Sequence, residues 1–148
     1  MTKIIDEYWT KAKSALNLPA DMPTPISWGF GDGGEMADRL GQLVVDGIKT
    51  ATCSAALAYD EENEAYPVLG EYNIVLDSNE KPMCVIQNTL LAIKKFNEID
   101  EAHALLEGEG DLSLKYWQDG HKAFFGEKYF AEDMPLIIEH FKMVYKGR

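Results

Sequence analysis

The chain has 148 residues, 46% of them hydrophobic and 26% charged, which is the balance of one globular domain and excludes a disordered tail or a disulfide-stapled miniprotein. Fourteen basic residues stand against 25 acidic ones, a net charge of −11. That charge disfavours nonspecific binding to phosphate backbones or anionic membranes, so any nucleic-acid contact should be local and pocket-like.

Residues 3–16 read as an amphipathic helix, with Ile4, Ile5, Tyr8, Trp9, Ala12 and Leu16 on one face. Pro19, Pro23 and Pro25 end it and open an extended linker. Trp28 and Phe30 follow in a glycine-rich turn. The run Gly29 to Gly34 matches G-x-G-x-x-G, but no strand precedes it, no acidic residue follows at the required distance, and Asp32 would repel a phosphate. It is read as a turn feeding a helix over 35–46. Asp32 and Glu35 stand as in a capping box, and Gly47 is placed to stop that helix.

After Gly47 the helical face disappears. Residues 49–58, 72–76, 83–93 and 136–145 read as strands, with a hairpin loop at 77–80. Residues 99–107 and 112–125 read as helices, the second with Asp111 as N-cap and Gly126 as stop. Strands and helices do not alternate strictly, which argues for an α+β fold.

Cys53 and Cys84 fit neither a redox motif nor a metal spacing, and read as buried, reduced thiols. No run is long and apolar enough to cross a membrane, and charge occupies the place of a signal peptide's apolar region, so a cytoplasmic location without membrane attachment is expected. The acid is uneven. The stretch from Glu98 to Asp111 holds six acids and no base. Within it, Glu107-Gly-Glu-Gly-Asp111 alternates carboxylates, but the twelfth position of a calcium loop is Gln118 or Gly120, so the calcium reading fails. A loop presenting carboxylates to a cleft fits better. His103, His121 and His140 have no helical ligand spacing, and His121 shares a helical face with Leu114, Trp117 and Phe124. Neither a metal nor another cofactor is expected.

Lys49 is the sole basic residue between Arg39 and Lys81. Its ammonium either reaches solvent from a strand end or faces a pocket. In a pocket, a desolvated lysine with a lowered pKa can act as a general base. A neighbouring threonine would then be its nucleophile.

Taken together, Trp28-Gly-Phe-Gly-Asp32, Ala37-Asp-Arg-Leu40, Gly47-Ile-Lys-Thr-Ala-Thr52, Tyr59, Pro67 with Gly70-Glu-Tyr72, Glu107 to Asp111 and His121 to Phe125 resemble the ASCH-domain family of the PUA-like superfamily. The likeness is to the branch with an N-terminal helical extension. It implies an N-terminal helix and linker over 1–25 and an ASCH domain over 26–148. It also implies a small PUA-like β-barrel with helices packed around its openings, and a role in RNA or nucleoside metabolism. Some members are amidohydrolases that deacylate acetylcytidine. Carried over by motif, the catalytic set is Lys49, Thr52 and Glu107. Ser54 stands where the family pattern has arginine, which weakens a long-RNA reading more than a nucleoside reading.

As a mechanism, neutral Lys49 takes the proton of Thr52, whose oxygen attacks an amide carbonyl, and protonated Glu107 serves the leaving amine. This needs the Lys49 pKa lowered and the Glu107 pKa raised, while the surrounding carboxylates favour charged Lys49. Strand alternation also sends Lys49 and Thr52 to opposite faces unless the chain turns after Gly47. The alternative is a non-catalytic module for a nucleotide or short single-stranded RNA, with Trp28, Phe30, Tyr59 or Trp117 stacking on bases. Ser54, Glu109, Asp111 and His121 complete the candidate ligand-binding set. A third reading is an interaction domain whose acidic face meets a basic partner. The N-terminal helix would cover one barrel end or mediate a dimer.

Overall fold

In the computed structural model the residues described are 2–31 and 33–147. The expected cap at Asp32 lies outside them. The elements in chain order are α1 (Thr2–Leu16), β1 (Ser27–Trp28), α2 (Gly34–Val45), β2 (Ala51–Ala55), α3 (Ala56–Glu61), β3 (Tyr72–Leu76), β4 (Pro82–Lys95), a 3₁₀ turn (Phe96–Glu98), α4 (Glu101–Glu107), α5 (Leu114–Tyr129) and β5 (Pro135–Tyr145). The class is α+β, as expected.

Five strands lie in the order β1-β3-β4-β5-β2. This order is open: β1 and β2 stand at its ends, and the closed barrel expected from the family resemblance is not the architecture of the described residues. A two-residue β1 offers too short an edge to carry a closing ladder. Other departures are local. The strand expected over 49–58 ends at Ala55, because Ala56-Leu57-Ala58 are strong helix formers and start α3. Ser113 caps α5 in place of Asp111, its side chain accepting the Tyr116 N–H. Gly126, at φ 64° and ψ −172°, ends the regular helix as expected, and the chain resumes helical structure across that kink only as far as Tyr129.

The chain forms two compact units. The first comprises Met1–Gly47, Gly70–Gln87 and Lys142–Arg148. In it Tyr8, Trp9 and Ala12 of α1 pack on Ile74, Leu76 and Val85. Burying each large apolar side chain contributes about 1.5–3 kcal/mol, which anchors α1 to the strands. The Trp9 indole N–H donates to the Met22 carbonyl at 3.1 Å, tying down the proline-bounded linker. On α2, Asp38 accepts the Ser78 amide and hydroxyl, both at 2.7 Å, fixing that helix to the β3–β4 hairpin.

The second unit comprises Ile48–Leu69 and Asn88–Phe141. Its core gathers Ala55, Phe96, Ile99, Ala104, Trp117, Phe125, Met134, Leu136 and Ile138. β2 pairs antiparallel with β5, Ala51 opposite His140 and Ala55 opposite Leu136. This pairing gives a rigid base for the residues that precede and line β2.

Candidate functional site

The second unit holds a cluster of buried charge. Lys49, at the approach to β2, is 1% exposed, and so is Glu107 at the end of α4. The Lys49 Nζ lies 3.3 Å from Glu107 Oε1 and 2.9 Å from Glu109 Oε2. It also lies 3.4 Å from the Glu107 carbonyl oxygen, where the last turn of the helix concentrates negative charge.

Local backbone chemistry builds this arrangement. Asp100 caps α4 by accepting the His103 N–H, and Gly108 closes the helix at φ 70°. A side chain at 108 would meet the Ile48 carbonyl at 2.7 Å, so glycine is required both by the turn and by the close approach. The Thr50 N–H donates to the Leu106 carbonyl at 2.8 Å, strapping the approach to β2 against the end of α4. The left-handed turn at Gly108 lets Glu107 and Glu109 address one ammonium.

Every oxygen of the Glu107 carboxylate is engaged. Oε2 lies 2.5 Å from His103 Nε2 and accepts the Trp117 indole N–H at 2.8 Å. Oε1 faces Lys49, with His121 Nε2 at 3.5 Å. His103 and Glu107 are one helical turn apart and share a face. The His121 ring stacks on Trp117 with centroids 4.2 Å apart, and its Nδ1 lies 2.7 Å from the Trp117 carbonyl.

These contacts set the charges. Burial alone would lower the Lys49 pKa, but the Glu107 and Glu109 carboxylates raise it above the ordinary lysine value. Burial alone would raise Glu107, but the Lys49 ammonium and hydrogen bonds from His103 and His121 hold it well below the carboxylate range. Burial would lower His121, yet its contact with Glu107 raises it. Burial pushes the Cys53 thiol well up, and the Glu107 charge adds to this. In the competition between burial and carboxylates, the carboxylates win: Lys49 is an ammonium and Glu107 an anion.

The expected residues divide into groups. Lys49, Glu107, Glu109, Trp117 and His121 come together here. Lys49 and Cys53 both meet Glu107, so alternation places Thr52 on the other face of β2, where it is half-buried opposite Glu139. Ser54 and Tyr59 share a hydroxyl hydrogen bond of 2.9 Å, and the Tyr59 ring meets Tyr66 edge-on. Asp111 accepts the Ser113 N–H at 2.9 Å and shapes the turn before α5. Trp28 and Phe30 belong to the first unit, where their rings pack edge-to-face and the Trp28 indole donates to Asn73 at 2.8 Å. Trp117 is 3% exposed, its ring already covered by His121. The sequence reading gave His103 and Cys53 no role. The four-residue spacing of His103 and Glu107, and of Lys49 and Cys53, was the available signal.

The family model described as the ASCH domain matches residues 26–145. The chain belongs to the ASCH domain family. Among solved structures, this ASCH chain is similar to protein EF3133 of Enterococcus faecalis, described under the family model DUF984, at 38% identity and TM-score 0.89, over 99% of this chain and 91% of that one. It is similar also to an ASCH domain from Lactobacillus crispatus, at 31% identity and TM-score 0.87, over 97% of this chain and 95% of that one. No curated protein matches it. The ASCH domain is a nucleic-acid-binding type of domain. Among the described residues no helix is long and apolar enough to cross a membrane.

Proposed function

We propose that this ASCH domain, residues 26–148 behind an N-terminal extension, hydrolyses the exocyclic amide of a small acylated nucleoside such as acetylcytidine. The observation that carries the reading is the sequestered Lys49 ammonium, 1% exposed beside a Glu109 that is 20% exposed. A fixed cation in a low-dielectric site is suited to the negative charge that develops on an amide carbonyl oxygen.

The charge states reassign the roles. An ammonium cannot take a proton from Thr52, so water is the nucleophile in this scheme. Glu109, the more accessible carboxylate, accepts the water's proton as the oxygen attacks the carbonyl carbon. The carbon–nitrogen bond then breaks, and protonated His121 gives its proton to the leaving amine, yielding a carboxylic acid and the free nucleoside amine. Glu107 is a positioning residue that holds Lys49 and His121. Hydrolysis of a panel of acylated cytidines tests this. Turnover should fall at least about a hundredfold in Lys49→Ala, the scale of losing one oxyanion-stabilising donor. Thr52→Ala separates the two schemes, since only a threonine nucleophile requires that hydroxyl.

The second reading is a binding module without turnover, for a nucleotide or short single-stranded RNA. The full engagement of Glu107 by four side chains favours it, since such a carboxylate serves as a scaffold. Nucleotide binding by calorimetry with no release of acyl group from any panel member would select this reading.

A further inference from the structure

Cys53, Glu107 and His121 bring a thiol, a carboxylate and an imidazole together, with one donor atom from each within 4.8 Å of the others. Sulfur, nitrogen and oxygen are the donors zinc accepts, in tetrahedral sites that keep a place for water when three protein ligands are present. The three residues come from β2, the end of α4 and α5, so ordered elements hold them.

Two further contacts resemble those that support metal ligands. A carbonyl oxygen only accepts, so the 2.7 Å contact of His121 Nδ1 with Trp117 O puts the proton on Nδ1 and turns Nε2 towards Glu107. Ligating histidines are fixed in this way by a second hydrogen bond. Glu107 Oε2 is held by His103 and Trp117, which leaves Oε1 as the atom that meets the cations. Lys49 is the competitor, since its ammonium already occupies Oε1. It has somewhere to go: Glu109 Oε2 at 2.9 Å is nearer than Glu107 Oε1 at 3.3 Å.

We infer that Cys53 Sγ, Glu107 Oε1 and His121 Nε2 form a site for zinc or a similar divalent cation, which replaces Lys49 on Glu107 and leaves Lys49 paired with Glu109. On binding, the Cys53 S–H bond breaks, its proton passes to solvent and a metal–sulfur bond forms. His121 gives its Nε2 lone pair, with any proton there also passing to solvent. No oxidation state changes, and a water completes the coordination. Inhibition of hydrolysis by the metal would follow, a consequence that rests on the proposed function.

The full chain, stripped with a chelator, is titrated with Zn²⁺ by calorimetry and with Co²⁺ by absorption. One equivalent should bind, and the cobalt form should show a thiolate-to-metal charge-transfer band with the visible bands of four-coordination. Cys53→Ala, a small change at a half-buried site, should remove the charge-transfer band and weaken zinc at least about tenfold, a loss no smaller than that of an outer-shell partner. His121→Phe, which keeps a ring against Trp117, should weaken zinc comparably. Unchanged zinc affinity in a folded Cys53→Ala, or a cobalt spectrum without the sulfur band, overturns the site. The titration involves no turnover, so its outcome is separate from that of the hydrolysis assay.

Discussion

Lys49 and Glu107 form a buried ion pair, 3.3 Å apart with each side chain 1% exposed. Burying such a pair stabilises little by itself, because desolvation offsets most of the attraction, but removing one partner strands the other. Glu107→Gln should therefore destabilise the chain by about 3–5 kcal/mol. Lys49→Met should cost a similar amount, since it leaves Glu107 with only neutral or partly charged donors. The double variant should lose clearly less than the sum. Urea unfolding of the four proteins closes the cycle, and additive losses would show that the two side chains are not coupled.

The same network fixes how stability varies with pH. Glu107 is held below the unfolded carboxylate value of about 4.3, so its contribution is present above that pH and is lost as pH falls through the lower folded value. His121 has the opposite sign. Its folded pKa lies above the unfolded value of about 6.5, so its contribution is present below that pH and disappears as pH rises through the folded value. His121→Phe should flatten the alkaline side of the stability profile and leave the acid side in place. Thermal unfolding across the pH range checks it; an unaltered alkaline slope would mean that His121 is not charged in the folded state.

Much of this was legible in the chain. The helical periodicity of α1 and the β-branched runs of β3, β4 and β5 are local signals, and local signals survive into the fold. Lys49 stood out because no other base lies near it in sequence, and Glu107 came through its family motif. The charge states were not legible. They depend on Glu109, His103 and His121 closing around the pair, and nothing in the spacing of 49 and 107 says how near those groups come. Thr52 shows the same gap: its motif position is beside Lys49, while its place on β2 opposite Glu139 turns it to the other face from Cys53. The open strand order also escaped the reading, because closure depends on how far β1 runs after a proline-rich linker.

Gly108 offers a test of how the buried charge cluster is held. Its φ of 70° and the 2.7 Å approach of the Ile48 carbonyl make alanine doubly unfavourable there. Gly108→Ala should cost on the order of 1–3 kcal/mol from the backbone strain alone, and more from the contact. Because the turn carries Glu109, the variant should also lose turnover beyond its loss of stability. Gly120→Ala is the control, since a side chain at 120 meets nothing within 4 Å and the residue lies within a helix. Similar behaviour of the two variants would remove the turn from the account.

The net charge of −11 separates the two kinds of ligand. A protein that neutralises phosphates with basic side chains releases counterions, so its affinity falls steeply as salt rises. In this cluster the buried Lys49 ammonium is already matched by Glu107 and Glu109, and Ser54, where the family resemblance implies an arginine, is hydrogen-bonded to Tyr59. A neutral acylated nucleoside should therefore bind with nearly the same affinity at 50 and 200 mM salt, a range over which a ligand making about 6–10 phosphate contacts would lose about 10³–10⁵ in affinity. A single-stranded oligonucleotide should bind weakly at both. Tight oligonucleotide binding with a steep salt dependence would place the ligand on a basic surface elsewhere and count against the nucleoside pocket.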